Sequence, residues 1–518
     1  MTHNDIINMG ANRELFWDDY LLDLSPETGE KFAEQFVDKT TSLFHLEEPQ
    51  KKEIIMRLDK SWEGKVCGYM HCFFDGSKYR LYYRASNGFS GEKLNKKASI
   101  CLLLSDDGIN WERPDLGLFE FEGNRNNNIV FLAEELDNFF IFKDENPACD
   151  PAALYKAVAQ GPKSKEFPSG GLQAYFSSDG ISWPKTPAHK LKGLSGNSKE
   201  HFFDSLNTAH WDKKLNKYRL YFRGFHGEGR FRDIRLALSD DFINWEDESL
   251  ISVSAISGAA LPDEQLYTNG ILPYYRSPDM IAGFPVRYVE RKWEPMFEQF
   301  PHKKWRLEKI ERFGESRLGT ALTDGLFLMS RDGLNFKRHD MAFLKPGIFR
   351  EYNWVYGDCY QSWGLLETDA DDPAAPREIS FFVGEDYTSR PIGIRRYTIR
   401  LDGFACMQSG GSDVTVITKP FTFEGNTLTL NMSTSAAGFV SVEFLDAEKA
   451  PIPGFSGNDA YKLFGDDISI KALFKRGNGT SGHECSLDLS AIEGKVVRIR
   501  FILREAKLYS MQFVREEK

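Results

Sequence analysis

The sequence predicts an all-β chain, a five-bladed β-propeller followed by a small C-terminal β-sandwich. Three observations predict it. The pentapeptide Lys-Tyr-Arg-Leu-Tyr occurs twice, at residues 78–82 and 217–221. A turn of pattern Ser-x-Asp-Gly-Ile/Leu-x-aromatic recurs four times, beginning at Ser105, Ser177, Ser239 and Ser330, with Phe242 the only departure at the glycine position. After Phe404 the texture changes to a short Ser/Gly stretch, 408–413, and then to alternating strands. A repeat of this size is one supersecondary unit that cannot bury its own apolar face and must stack on copies of itself. In the turn, Asp accepts from backbone N–H groups two residues on, Gly supplies a positive φ, and the aromatic folds back between neighbouring sheets.

Taking the turns as outer corners divides the first four hundred residues into five units. The first has strands at 68–74 and 79–84, joined through Asp75-Gly76, and closes at the Ser105 turn. The second has 139–143, 154–159 and the Ser177 turn; the third has 207–211, 218–223 and the Ser239 turn. The fourth has 271–275, 280–288 and the Ser330 turn. The fifth has 360–366, 379–383 and 394–401, and ends in Leu401-Asp402-Gly403-Phe404. Five such sheets around an axis make the propeller, residues 1–407. Residues 12–22 are expected to pack on the first or last blade and help close the ring, and 26–37 is the best helix candidate. The sandwich, 414–518, reads as strands at 427–431, 440–445, 468–473, 485–489, 496–503 and 509–514, with Gly477-Asn478-Gly479 among its turns. Its expected role is structural.

Composition narrows the partners. Aromatics at 14% and 43 glycines suit short strands joined by tight turns. A net charge of −11 argues against nucleic acid or an anionic membrane surface. The first ten residues lack both a basic region and an apolar run, and nothing approaches a membrane span. Seven scattered cysteines, without a Cys-x-x-Cys pair, read as a reduced cytoplasmic setting.

In a propeller the loops leading into the innermost strands line one funnel, so functional carboxylates are sought there. The candidates are Trp62-Glu63, Asp144-Glu145-Asn146-Pro147, Asp204 in the segment 200–207, Asp263-Glu264 ahead of Tyr267, and Asp358 after Trp354. Converging acids between aromatic walls suit a carbohydrate, whose C–H faces stack on rings while its hydroxyls bond to carboxylates and amides. Glycoside hydrolysis needs two carboxyl groups, one protonated and one ionised. Arg84, Arg223 and Arg287 stand at strand ends, where they could meet an anionic sugar. His71 and His201 fall near the funnel but read as core or rim residues. No metal-ligand cluster, nucleophile elbow or phosphate-cradling loop is present, so neither a metal nor an organic cofactor is expected.

On Trp62-Glu63, Asp144-Glu145-Asn146-Pro147, Asp204-Ser205-Leu206-Asn207 and Tyr267-Thr268-Asn269-Gly270, the chain resembles the five-bladed-propeller glycoside hydrolases, the superfamily that holds families 32, 43 and 68. The likeness extends to Phe16-Trp17-Asp18-Asp19-Tyr20-Leu21 and Leu508-Tyr509-Ser510. It implies an axial site with three acids from successive blades and a β-sandwich tail. The Trp-Met-Asn-Asp-Pro-Asn-Gly opening of family 32 is absent. Where family 43 enzymes carry an Asp on the first inner strand, this chain has Tyr69, which leaves that role to Glu63, or to Asp18 or Asp19. The resulting expectation is a glycoside hydrolase acting on an oligosaccharide. Asp204, Glu264, Glu63 and Asp144 are its catalytic set, with Glu264 as general acid. Trp62, Tyr267, Trp354, Asn207, Arg287 and Asp358 are its sugar contacts. A phosphorylase or transglycosidase on the same fold, which would need basic residues at the funnel, and a non-catalytic sugar-binding protein with a single axial acid are the alternatives.

Overall fold

The computed structural model describes residues 6–24, 43–64, 66–86, 98–133, 137–199, 201–228, 231–475 and 485–517. The helix candidate at 26–37, Glu200 and the Gly477-Asn478-Gly479 turn lie outside them. The chain is mostly β-sheet, with short helices, Lys303–Phe313 and Arg317–Thr320, in the fourth unit.

The sheets follow the repeat. Gly68–Phe74, Tyr79–Ser86, Ala98–Ser105 and Ile129–Ala133 form one antiparallel sheet, and Asp137–Lys143, Tyr155–Gln160, Leu172–Ser177 and His189–Lys190 form the next. Thr208–Asp212, Lys217–His226, Phe231–Ser239 and Glu246–Leu250 form the third. In the fourth unit the expected strand 280–288 is broken. Ile281–Gly283 pairs with Leu328–Ser330, whereas Val286–Val289 pairs with Leu322–Gly325 in a separate sheet. Pro285 stands at the break, and a proline cannot donate to a ladder. Glu378–Glu385 and Gly393–Arg400 build the last sheet.

That last sheet is completed by Gln50–Arg57, which pairs antiparallel with Gly393–Arg400 across more than three hundred residues. Ion pairs Arg396–Glu53 and Lys51–Glu385, each 2.7 Å, fasten the edge. Residues 50–57, and not 12–22, supply this strand; residues 12–22 pack on the fourth unit and on the end of the fifth, where Trp17 Nε1 donates to the Asp402 carbonyl at 2.8 Å. Trp17 is fully buried against Tyr274, Phe327 and Phe404, and Arg13–Leu15 pairs with the C-terminal strand.

First strands of neighbouring sheets touch along a common core. His71 Nε2 accepts from the Ile141 amide at 3.0 Å, the Cys72 amide donates to Trp363 at 2.8 Å, and Trp363 Nε1 donates to the Ile271 carbonyl at 2.8 Å. His71 is the satisfied core histidine the sequence suggests; burial pulls its pKa down to about 3, so the ring is neutral.

In the C-terminal part, two pairs of expected strands fuse. Thr427–Leu445 and Arg498–Val514 are single long strands that pair with each other, with register shifts where each bends. Phe423, Phe444 and Phe513 pack in their core. Ile7–Gly10 and Phe44–Leu46 also add to this C-terminal structure.

Candidate functional site

A pocket lies where the first strands begin. Tyr69 and Arg84 come from the first unit, Leu206 from the third, Thr268 and Gly270 from the fourth, and Tyr360, Gln361 and Trp363 from the fifth. The segment before the fifth unit's first strand adds Tyr356 and Gly357.

The backbone is left-handed at the matching place in every unit: φ is 50° at Tyr69, 57° at Asn138, 67° at Phe203, 54° at Gly270 and 60° at Cys359. Non-glycine residues there cost roughly 1–3 kcal/mol each and persist where function rewards them. Tyr69 owes its angle to a bulge, since pairing slips between Gly68 and His71; a bulge re-aims one side chain without ending the strand. Its ring lies 5.0 Å from the Arg84 guanidinium. Removal from water pushes the Tyr69 phenol well above its ordinary range; Tyr267 and the Asp204 carboxylate add to this, while Arg84 and Arg223 oppose it.

The opposite wall is aromatic. Tyr360 stacks on Tyr387 with centroids 6.4 Å apart and planes 6° from parallel. The Tyr356 hydroxyl donates to that of Tyr267 at 2.5 Å. Gly357 permits this closeness, since a Cβ there would lie 2.4 Å from the Tyr387 ring. Between these rings, Nε2 and Oε1 of Gln361 are buried without a hydrogen-bond partner among the described residues. Buried amides are normally satisfied, so this unpartnered one in the pocket lining is unusual.

The sequence-predicted residues divide sharply. Asp204 is exposed, two residues from pocket-lining Leu206 and within electrostatic reach of Tyr69. Tyr267 supports the pocket from behind, through its bond to Tyr356. Glu63 does not reach the pocket: it is fully buried, and its carboxylate takes both Arg113 Nε at 2.8 Å and the Tyr83 hydroxyl at 2.5 Å. Asp144 is placed at the wrong end of its strand. Asp137–Lys143 runs away from the pocket, so a residue following it lies at the far side, where Asp144 is held by Lys156 and by the Tyr218 hydroxyl at 2.6 Å.

Glu264 and Arg287 come together, but with each other: Arg287 Nη1 donates to Glu264 Oε1 at 2.7 Å, while its other nitrogens grip Asp324. Arg338 takes the same Glu264 oxygen at 2.9 Å. Asn207 is fully buried and spends its amide on the carbonyls of Phe203 and Ser205. Trp62 Nε1 bonds Asn128 at 2.9 Å, and Trp354 Nε1 bonds the Gly347 carbonyl at 2.7 Å, both outside the pocket lining. Asp358 sits behind Gly357, 4% exposed, where burial pushes its carboxyl up to about 7.

The residues missed are the pocket's own: Tyr356, Tyr360, Gln361 and Tyr387. For the first three the signal is the run of aromatic and polar residues from Tyr356 to Trp363, which leads into and spans the fifth unit's first strand, Tyr360–Gln361; Tyr387 follows Glu378–Glu385. Among the described residues, no group of three His, Cys, Asp or Glu could hold a metal ion.

No family model matches the chain, and no curated protein matches it significantly. Similar solved structures include a glycoside hydrolase, 13% identical with a TM-score of 0.42, over 72% of this chain and 95% of that one. An N-acetylgalactosamine deacetylase from F. plautii in complex with blood group B trisaccharide is 10% identical with a TM-score of 0.40, over 69% and 96%. An endo-arabinase from Bacteroides thetaiotaomicron is 11% identical with a TM-score of 0.37, over 67% and 98%. At such identities the likeness says nothing about which residues react.

Proposed function

We propose that the chain is a carbohydrate-active enzyme, a glycoside hydrolase, on a five-bladed β-propeller of residues 1–407 with a β-sandwich over 414–518. The observation that carries this reading is the pocket itself: tyrosine faces, an arginine and an unpartnered buried amide converge where the first strands begin. A sugar ring presents the complement, with C–H faces for Tyr69 and Tyr360 and hydroxyls for Gln361. In this reading Asp204, exposed beside the pocket, is one of the two carboxyl groups that hydrolysis needs and exchanges a proton with the glycosidic oxygen or with water. Glu63, Asp144 and Glu264 are not part of this proposal, because their oxygens are committed to internal cations.

A second reading is favoured by one specific observation. Among the described residues no carboxylate lines the pocket wall, which suits a sugar-binding protein without catalysis. A screen of aryl furanosides, aryl pyranosides and oligosaccharides with wild type and Asp204→Asn separates the two. The hydrolase reading expects turnover that falls by about 10²–10⁴ in the variant, the usual worth of a general acid or base, with sugar binding kept. Unchanged turnover in the variant removes Asp204 from the mechanism. Binding without turnover of any substrate supports the second reading.

A further inference from the structure

The pocket is surrounded by more positive charge than a neutral sugar requires. Arg84 forms part of its wall, over the Tyr69 ring. One ring further back, Arg223 and Arg232 both pack on Tyr267, with guanidinium carbons 4.6 and 5.2 Å from its centroid. Tyr267 in turn carries the Tyr356 hydroxyl of the lining. Neither Arg223 nor Arg232 has a carboxylate within 4.0 Å among the described residues. Arg223 donates instead to the Tyr267 carbonyl and Arg232 to the Gln265 amide oxygen. Arg223 is 2% exposed, and Nε of Arg232 is buried without a partner.

A buried guanidinium without a counter-charge is costly. Here the buried Arg223 and the half-buried Arg232, neither with a carboxylate partner among the described residues, share one ring behind a pocket whose described lining has no acid. The packed rings and backbone between them and the cavity exclude water, so the local dielectric is low and the field is screened less than it would be in solvent. The expected complement is a negative oxygen on the ligand, offset from the neutral ring that stacks on tyrosine.

We propose that the pocket selects an oxyanion, the carboxylate of a uronic acid or a phosphate, held on the side of Arg84, Arg223 and Arg232. This inference rests on the carbohydrate reading above and specifies its substrate class. Asp204, exposed beside the pocket, is not part of this wall and disfavours an anion on its own side.

Isothermal titration of the full chain with glucuronate, galacturonate, glucose, galactose and inorganic phosphate tests the proposal. The expected result is binding of a uronic acid about tenfold or more tighter than its neutral parent, a difference of about 1.4 kcal/mol. That preference should weaken with added salt, disappear in Arg232→Gln and survive in Arg232→Lys, which keeps the charge. Circular dichroism of both variants guards against loss of fold, and Arg84→Gln supplies an independent second site. Phosphate binding that Arg232→Gln abolishes, without a uronic acid preference, also supports an oxyanion wall and identifies its source as free phosphate. Equal affinity for acidic and neutral sugars, with no phosphate binding, overturns the inference and leaves the carbohydrate reading standing. Failure of every sugar and of phosphate to bind overturns both.

Discussion

The Tyr221 hydroxyl donates to the Gly333 carbonyl at 2.8 Å, reaching from the third unit to the turn of the fourth. The same bond joins Tyr82 to Gly180 at 3.0 Å, from the first unit to the turn of the second. The arginine two residues earlier does likewise: Arg80 Nη1 donates to the Asp179 carbonyl at 2.6 Å, and Arg219 Nη1 to the Asp332 carbonyl at 2.7 Å. The repeated pentapeptide is thus a clamp on the next repeat's turn. Its tyrosines are braced within their own units, Tyr82 stacking on His71 and Tyr221 on His210.

The clamp also explains the one departure from the turn pattern. In the second unit, strand register puts Tyr155-Lys156-Ala157-Val158 where the pentapeptide has Tyr-Arg-Leu-Tyr, since Tyr155 faces Ser177 as Tyr79 faces Ser105. There is no arginine or second tyrosine to receive. The third turn fills that space with Phe242, fully buried against Phe142 and Tyr218. Restoring the pattern with Phe242→Gly is therefore expected to destabilise, by about 3–5 kcal/mol as for other large core truncations.

Gly333→Ala should also destabilise. Its φ is +78°, and a Cβ there would lie 2.2 Å from Arg219 Nη1 and 2.6 Å from the Tyr221 hydroxyl. Tyr221→Phe should cost less, about 0.5–1.5 kcal/mol for one hydrogen bond. Urea unfolding of the two variants beside wild type checks the order; Tyr221→Phe as stable as wild type would mean that the clamp's hydrogen bond contributes nothing.

Gln361 separates binding from folding. Its amide atoms are buried without partners, so Gln361→Met removes unsatisfied groups at similar volume. Thermal stability is expected to hold or rise, by up to about 1 kcal/mol, while sugar affinity falls tenfold or more. A variant that loses stability instead would show that the amide serves the fold.

Asp402 joins the N-terminal segment, the fourth unit and the C-terminal strand. Its buried carboxylate takes Arg276 at 2.8 Å, Tyr274 at 2.7 Å, Ser510 at 2.8 Å and Arg13 at 3.3 Å. Burial works against its charge, yet Arg276 and Arg13 hold the carboxyl below its ordinary range. A depressed folded value gives stability that is present above the unfolded carboxylate range, near pH 4, and is lost as pH falls through the folded value. Asp402→Asn is expected to cost about 3–5 kcal/mol at pH 7, because it strips Arg13 of its carboxylate and leaves Arg276 only the longer contact to Glu367, 4.0 Å, and to flatten acid unfolding below pH 4.

The sheets were legible in the sequence because local chemistry sets them. Ser-x-Asp-Gly turns, Asp75-Gly76 and alternating strands each carry their own signal over a few residues. The closing strand 50–57 and the fused C-terminal strands were not, since their partners lie far along the chain or their pattern runs on through a bend. In the candidate site, a strand start put Asp204 near the pocket and Tyr69 entered only through the family resemblance. No local signal tells that Arg113 has taken Glu63, or that Arg287 and Arg338 have taken Glu264. Asp144 was misplaced by strand direction alone, a matter of which end of 137–143 faces the pocket.

The most direct test of the proposal that the pocket binds sugar is a crystal structure of the full chain soaked with the tightest sugar from the glycan screen. The account predicts density for a ring stacked between Tyr69 and Tyr360, with a hydroxyl on Gln361, and loss of that binding in Tyr69→Ala. A sugar seated elsewhere, with Tyr69→Ala binding as well as wild type, would contradict it.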